Sequence, residues 1–248
     1  MNKGKWKVIG CAVEGLAHID ANIPCQDKIA RYRDDNISVI ALADGAGSVR
    51  LSHFGAERVV NALCLKLAKE FKAFVGVPND KLINLKSNLL YYLKNELTAL
   101  ANELKCELSD LASTLMAVAS DNENYFMLSI GDGVTGIFRN GKIHVALKPD
   151  ITVFVTSKNA LMHMNVLRGK LYDNGEIING FVLLSDGAGE SFYERRTQKL
   201  IQWLEEIAQE CVALPEVERE QKLLYDFENL IRPRTLDDCS MMLMCREE

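Results

Sequence analysis

The order of hydrophobic patterns along the chain limits the possible fold more than any other feature of the sequence. Strand-like and helical patterns occur in separate blocks, without a repeating strand–helix–strand unit, which favours antiparallel sheets over a doubly wound parallel sheet. We therefore predict an α+β fold, a four-layer α-β-β-α sandwich of two mainly antiparallel sheets flanked by helices. The blocks are strands at 6–15 and 36–44, two helices within 52–104, a strand meander at 113–155, a buried strand at 181–187, helices from about 191 to 231 and a strand at 239–245.

Three local signals refine this pattern. Asn140-Gly141 predicts a tight type I′ hairpin, and the segments around 78–80 and Pro215 predict helix breaks. Residues 156–176 have no clear period, and we predict an irregular surface excursion there. Since no linker or internal repeat divides the chain, we expect residues 1–248 to form a single domain.

Composition excludes several classes of function. The net charge is −5 and no block of Lys or Arg is present, so a nucleic-acid partner is not expected. The first ten residues lack a signal-peptide core, and no apolar run reaches the roughly 18 residues that a membrane span needs. Seven scattered cysteines without a CxxC pair indicate reduced thiols. We expect a cytoplasmic protein that does not bind membranes.

Acidic residues stand where apolar strands end or begin. An ionised carboxylate at such a buried position is costly unless a cation meets it, and an Asp-Gly pair by itself is more often a turn. Oxygen ligands without a convergent set of His and Cys favour Mg²⁺ or Mn²⁺ over Zn²⁺. The strand-end positions are Asp44, Asp132, Asp186 and the pair Asp237-Asp238.

Together with their neighbours, these residues form an ordered series of motifs over nearly the whole chain. The series resembles the metal-dependent type 2C (PPM) serine/threonine protein phosphatases, specifically the bacterial branch with short catalytic domains. In order, the motifs are Gly15, His18 and Pro24-Cys25-Gln26-Asp27; Ala43-Asp44-Gly45-Ala46-Gly47-Ser48 with Gly55-Ala56; Ser113-Thr114; Gly131-Asp132-Gly133; Ser185-Asp186-Gly187; and Asp237-Asp238-Cys239-Ser240.

The resemblance implies a set of metal ligands. Asp44 matches the aspartate that bridges two Mn²⁺ or Mg²⁺ ions, and Gly45 matches the residue that offers its carbonyl to one of them. Asp186 and Asp237 match the other direct ligands. Asp132 matches the position associated with an additional, weaker ion, so that the site would hold two or three ions.

The resemblance also implies the chemistry. Water activated by two metals would attack phosphoserine or phosphothreonine directly, without a covalent intermediate. Asp27 matches an acidic position that usually holds metal-bound water, His18 is a candidate general acid, and Ser113-Thr114 is expected to be structural.

The match departs from the family pattern in two places. No arginine stands near the first strand to clamp phosphate. His18 lies in that part of the sequence and could contact phosphate when protonated; the rival cations are Lys28, Arg31, Arg33 and Arg50. The last motif has two acidic residues, which leaves Asp238 as a rival ligand to Asp237; we favour Asp237.

Three functions remain open at this stage. The first is a monomeric phosphatase acting on a phosphoprotein, such as the product of a bacterial Ser/Thr kinase. The second is a catalytically weak phosphatase-like module that binds a phosphoprotein or a regulatory partner. The third is a metal-dependent phosphodiesterase or nuclease, which would use the same two-metal mechanism. This sequence, however, has no run of basic residues to bind a nucleic-acid backbone. By the same resemblance, residues 156–176 would form a flap beside the cleft and affect substrate choice.

Overall fold

The computed structural model describes residues 5–173 and 175–246, which form two antiparallel sheets between layers of helices. The first sheet has the order β1-β13-β10-β6-β7, with β9 beside β10, and the second has the order β2-β3-β4-β5-β8. The strands are β1 (Lys7–Val13), β2 (Lys28–Arg33), β3 (Ser38–Ala43), β4 (Leu115–Ser120), β5 (Asn124–Ile130), β6 (Val134–Arg139), β7 (Lys142–Leu147), β8 (Asn165–Lys170), β9 (Tyr172–Asp173), β10 (Glu176–Leu184), β11 (Tyr193–Glu194), β12 (Lys199–Leu200) and β13 (Cys239–Cys245).

Helices cover the outer face of each sheet, which confirms the predicted four-layer α+β sandwich. The long pair α2 and α3 packs on the second sheet, and α4, α5 and α6 pack on the first. The helices are α1 (Leu16–Ala21), α2 (Ser52–Gly76), α3 (Leu82–Leu104), α4 (Asp186–Phe192), α5 (Trp203–Ala213) and α6 (Glu216–Asp226), with short 3₁₀ or π turns at Asn79–Lys81, Leu108–Leu111, Phe227–Ile231 and Arg232–Arg234. None of the helices in the described residues has both the length and the apolar character needed to cross a bilayer.

The strands are apolar on both faces because each sheet is buried on both sides. Val39 and Ala41 of β3 face α2 and α3, whereas Ile40 and Leu42 of the same strand pack between the sheets. Phe181 of β10 meets them there from the opposite sheet. Near-continuous apolar runs of this kind are typical of strands that are buried on both faces.

Several sequence predictions are confirmed. The two long helices within 52–104 are present, with a turn at Asn79–Lys81 between them, and Pro215 precedes α6. Asn140 and Gly141 have φ of 48° and 73°, as the predicted type I′ turn between β6 and β7 requires. The closing strand at 239–245 is β13, which lies between β1 and β10.

Other predictions of local structure are wrong. The meander predicted at 113–155 is divided, because β4 and β5 belong to one sheet while β6 and β7 belong to the other. Residues 151–156 form no strand, and Val153 and Val155 are buried in the core without strand pairing. Their β-branched pattern reflects burial, which is not sufficient to specify a strand.

The region 156–231 also differs from the prediction. The segment 156–176 is not wholly irregular, since β8 pairs with β5 along the sheet edge. Helical structure does not run continuously from 191, because α4 ends at Phe192 and the hairpin of β11 and β12 follows. Strand β2 and the short helix α1 were not predicted, because their mixed polar sequences show no clear period.

Candidate metal centre and active site

Three carboxylates meet where strands of both sheets end. One oxygen each of Asp44, Asp132 and Asp186 lies within 4.8 Å of the others. Asp44 follows β3 and Asp132 follows β5 in the second sheet, whereas Asp186 begins α4 directly after β10 of the first sheet. The sandwich therefore brings together residues that lie far apart in the chain.

The backbone around Asp44 is fixed by its neighbours. The Asp44 N–H donates to Thr114 Oγ1 at 2.9 Å, and the Thr114 N–H donates to the Asp44 carbonyl at 2.8 Å. At Gly45, a Cβ would lie 2.8 Å from Ser52 Oγ and 3.0 Å from the Gln26 carbonyl, so a side chain would force its neighbours to move. Thr114 thus has the structural role expected for the Ser113-Thr114 pair.

Asp27 lies just before β2 and is fully buried beside the cluster. Its Oδ2 accepts a hydrogen bond from Ser240 Oγ at 2.6 Å, while Oδ1 has no donor among the described residues. Burial raises the pKa of Asp27 to about 7; the Ser240 hydrogen bond opposes this shift and the charge of Asp238 adds to it. This carboxyl can therefore exchange a proton near neutral pH.

Asp132 is held by the loop that follows β7. Thr152 Oγ1 donates a short hydrogen bond to Asp132 Oδ2, and the buried Oδ1 has no donor within residues 5–173 and 175–246. A buried carboxylate oxygen without a donor is costly unless a cation reaches it. The free oxygens of Asp132 and Asp27 therefore fit a site for hard divalent ions.

The electrostatics of the cluster point the same way. The pKa of Asp44 is raised by burial and then by the charges of Asp27, Asp186 and Asp237. The pKa of Asp186 is raised to about 6 by burial and then by Asp237 and Asp132. Carboxylates that repel one another in this way are stabilised by a shared cation.

The two adjacent aspartates before β13 have different surroundings. Asp238 is buried and accepts hydrogen bonds from the backbone N–H groups of Gly15 at 2.7 Å and Gln26 at 2.5 Å. Asp237 is exposed and lies outside the 4.8 Å group, yet its charge acts on Asp44 and Asp186. Asp238 is thus occupied by protein donors, which leaves Asp237 as the acidic side chain available to an ion.

His18 lies in α1 and is buried. Its Nδ1 is 2.9 Å from Asp238 Oδ1 without the geometry of a hydrogen bond, so the ring lies next to the carboxylate that precedes β13. Its role as a general acid remains a prediction.

Most of the predicted phosphate-binding cations are engaged elsewhere. Lys28 Nζ donates to the Cys25 carbonyl at 2.7 Å, and Arg31 Nη1 lies 2.5 Å from Glu220 Oε1 of α6. Arg33 pairs more loosely with Glu216, also of α6, at 3.9 Å. Arg50 is exposed on the loop after Asp44 and has no partner among the described side chains.

Sequence reasoning missed the far side of the site. A cavity of about 620 Å³ is lined by Asp132 and Asp186 together with Lys148, Thr152 and Arg195. The predicted flap at 156–176 contributes no residue to this lining, although His163 Nδ1 lies 3.0 Å from Asp150, which lines the cavity. Nothing in the local sequence distinguishes these polar loop residues from others.

Comparisons with known proteins agree with this architecture. The serine/threonine-protein phosphatase 3 of Escherichia coli (strain K12) is 26% identical over 170 residues, a match that covers 64% of this chain and 66% of that relative. The Ser/Thr phosphatase Stp1 of Staphylococcus aureus superposes with a TM-score of 0.65 at 14% identity, covering 100% of this chain and 98% of Stp1. The catalytic domain of the protein phosphatase PstP, solved with two manganese ions, has a TM-score of 0.62 at 19% identity and covers 98% and 99% of the two chains.

The two solved structures establish the likeness of fold. A family model described as "Protein phosphatase 2C" matches residues 14–224, which is most of the chain. The family resemblance and the enzyme class predicted from the sequence, a serine/threonine-protein phosphatase, are therefore confirmed. The chain belongs to the protein phosphatase 2C family.

Proposed function

We propose that this chain hydrolyses phosphoserine and phosphothreonine esters of proteins by direct attack of water at a pair of divalent cations. The observation that carries the proposal is the convergence of Asp44, Asp132 and Asp186 within 4.8 Å, from two sheets of a protein phosphatase 2C fold. Two sheets supply one site, so we also propose that residues 1–248 act as a single catalytic domain. A cytoplasmic location and a monomeric state remain predictions.

Oxygen ligands from the chain would hold the ions. We assign Asp44 as the bridging ligand, the Gly45 carbonyl, Asp186 and Asp237 as further ligands, and Asp132 as the ligand of an additional ion. Manganese or magnesium suits this all-oxygen set, and PstP was solved with two manganese ions. When bound, such ions lower the pKa of water and offset charge on the phosphoryl oxygens.

Side chains of the protein would transfer the two protons of the reaction, one taken from water and one given to the leaving oxygen. Asp27 is suited to accept a proton from water, because it is buried beside the cluster and its Oδ1 has no hydrogen-bond donor among the described residues. His18 faces Asp238 through Nδ1, so a proton for the departing serine or threonine oxygen would come from Nε2. Asp238 anchors the backbone of Gly15, which precedes α1, and of Gln26.

The test is hydrolysis of p-nitrophenyl phosphate and of phosphoserine and phosphothreonine peptides. We expect turnover with Mn²⁺, loss of turnover with EDTA, and a loss of at least about a hundredfold for Asp44→Asn, since a bridging ligand cannot be replaced by a neutral amide. The control Asp80→Asn changes an exposed carboxylate in the turn Asn79–Lys81 and should keep full activity.

The same experiment separates the alternative function. A catalytically weak module would bind phosphopeptides without Mn²⁺-dependent turnover above that of Asp44→Asn. That result would contradict the proposed phosphatase activity and favour a role in binding a phosphoprotein or a regulatory partner.

A further inference from the structure

The cavity beside the metal centre is lined by side chains of both charges. Asp132, Asp150 and Asp186 contribute carboxylates, and the cations are Lys148, at the end of β7, and Arg195, in the hairpin of β11 and β12. The volume of about 620 Å³ is large enough for an amino-acid side chain and its backbone.

The two cations that line the cavity have no acidic partner in the described part of the chain. Lys148 Nζ donates to the neutral Gln198 Oε1 at 2.5 Å, which leaves its charge uncompensated. Arg195 forms no hydrogen bond or ion pair within residues 5–173 and 175–246. Its neighbour Arg196, by contrast, lies 3.9 Å from Glu194 and does not line the cavity.

The third carboxylate of the lining is already engaged. Asp150 Oδ2 lies 3.0 Å from His163 Nδ1, and Asp150 Oδ1 accepts the Ile151 N–H at 2.8 Å. Lys148 and Arg195 are therefore available to a ligand, and an anionic ligand would complement both.

We propose that this cavity is a substrate subsite in which Lys148 and Arg195 bind an anionic side chain close to the phosphorylated residue. The inference rests on the proposed function, which places the phosphoester at Asp44 and Asp186. A neighbouring side chain that reaches the cavity must lie within about three residues of the phosphoresidue, because an extended chain advances about 3.4 Å per residue. Its anionic group is either a carboxylate or a second phosphate.

The expected effect is on substrate binding. Partly exposed charge pairs of this kind contribute roughly two- to fivefold each, and salt weakens them. A substrate whose anionic side chain contacts both cations should thus have a KM roughly four- to twenty-fivefold lower than its neutral counterpart. The kcat should be similar, since the contact is the same before and during the chemical step.

The test uses phosphoserine peptides that differ in one flanking position. Glutamate, glutamine or a second phosphoserine is placed at each of the three positions on either side, and KM and kcat are measured with Mn²⁺ at low and high salt. The enzymes are wild type, Lys148→Gln, Arg195→Gln and the control Arg196→Gln. Thermal melts establish that each variant is folded.

The proposal predicts a preference for glutamate over glutamine at one or more positions, confined to KM and reduced by salt. Lys148→Gln and Arg195→Gln should each reduce this ratio, and Arg196→Gln should leave it unchanged. A still larger preference for the second phosphoserine would identify phosphate as the favoured anion. The proposal is overturned if wild type does not distinguish glutamate from glutamine, or if the ratio survives in both variants.

Failure of the proposed function would look different. In that case no peptide and no p-nitrophenyl phosphate would be hydrolysed by any enzyme in the set. Binding of the same fluorescent phosphopeptides to Asp44→Asn, measured by anisotropy, then decides the matter. The subsite predicts tighter binding of the glutamate peptide that Arg195→Gln removes, and equal binding of the glutamate and glutamine peptides contradicts it.

Discussion

Replacing Asp186 by asparagine should stabilise the metal-free protein. The folded-state pKa of Asp186 is about 6, above the value of about 3.9 for an unfolded chain, because burial and the charges of Asp237 and Asp132 disfavour its ionised form. The folded protein therefore binds the Asp186 proton more tightly than the unfolded chain does. As pH rises from about 4 to 6, this group lowers the free energy of unfolding, and above pH 6 the loss is complete.

The size of the effect follows from the shift. A difference of about 2 pKa units corresponds to about 3 kcal/mol, an upper limit because Asp44 and Asp132 share the same protons. Asparagine keeps the Oδ1 that accepts the Gly187 N–H at 2.7 Å and removes the charge. We expect the melting temperature of Asp186→Asn in EDTA at pH 8 to exceed that of wild type by up to roughly 6–12 °C.

Differential scanning calorimetry at pH 8 and pH 4.5 tests this prediction. The advantage of Asp186→Asn should be largest at pH 8 and shrink at pH 4.5, and excess Mn²⁺ at pH 8 should raise the melting temperature of wild type more than that of the variant. Asp80→Asn serves as the control and should show neither effect. A metal-free Asp186→Asn protein that melts below wild type at pH 8, or an advantage independent of pH, would refute the reasoning.

Three further predictions concern single contacts. Thr152→Val removes the hydrogen bond to Asp132 and should weaken Mn²⁺ binding in calorimetric titration by roughly tenfold. Thr152→Ser keeps the hydroxyl and should bind Mn²⁺ as wild type does. Equal affinities of all three proteins would show that Thr152 does not position Asp132. Ser240→Ala removes a hydrogen bond that lowers the pKa of Asp27. The acid limb of the pH profile of kcat/KM should therefore move to higher pH. An unchanged pH profile would exclude Asp27 as the titrating group. Gly55→Ala places a Cβ 2.1 Å from the Leu111 carbonyl and should lower the free energy of unfolding in urea by roughly 3 kcal/mol or more. The control Gly76→Ala meets nothing within 4 Å and should not destabilise the protein. Similar values for the two variants would show that helix α2 can move.

Local pattern was sufficient to predict the elements whose signal is local. The helices α2 and α3 and the Asn140-Gly141 turn follow from period and turn chemistry. The assignment of β5 and β6 to different sheets could not be predicted, because both strands are buried on both faces and their sequences do not indicate which strands they pair with. The strand predicted at residues 151–156 is wrong for a related reason, because Val153 and Val155 are buried in the core without belonging to a strand.

The candidate site divides in the same way. The convergence of Asp44, Asp132 and Asp186 could be predicted from the ordered motifs that resemble type 2C phosphatases, whereas each Asp-Gly pair alone is more often a turn. The different surroundings of Asp237 and Asp238 arise because the backbone N–H groups of Gly15 and Gln26 reach only Asp238, which the folded chain determines. Thr152, Lys148 and Arg195 reach the site from loops, and the path of a loop is not encoded in a period.

The central claim is that these carboxylates hold a pair of divalent cations, and anomalous diffraction from crystals grown with Mn²⁺ tests it most directly. The account predicts two manganese peaks roughly 3.5–4 Å apart, with Asp44 between them and Asp186 and Asp237 as further ligands. The absence of an anomalous manganese peak at Asp44, or a single ion bound by Asp238 instead of Asp237, would contradict the two-cation site.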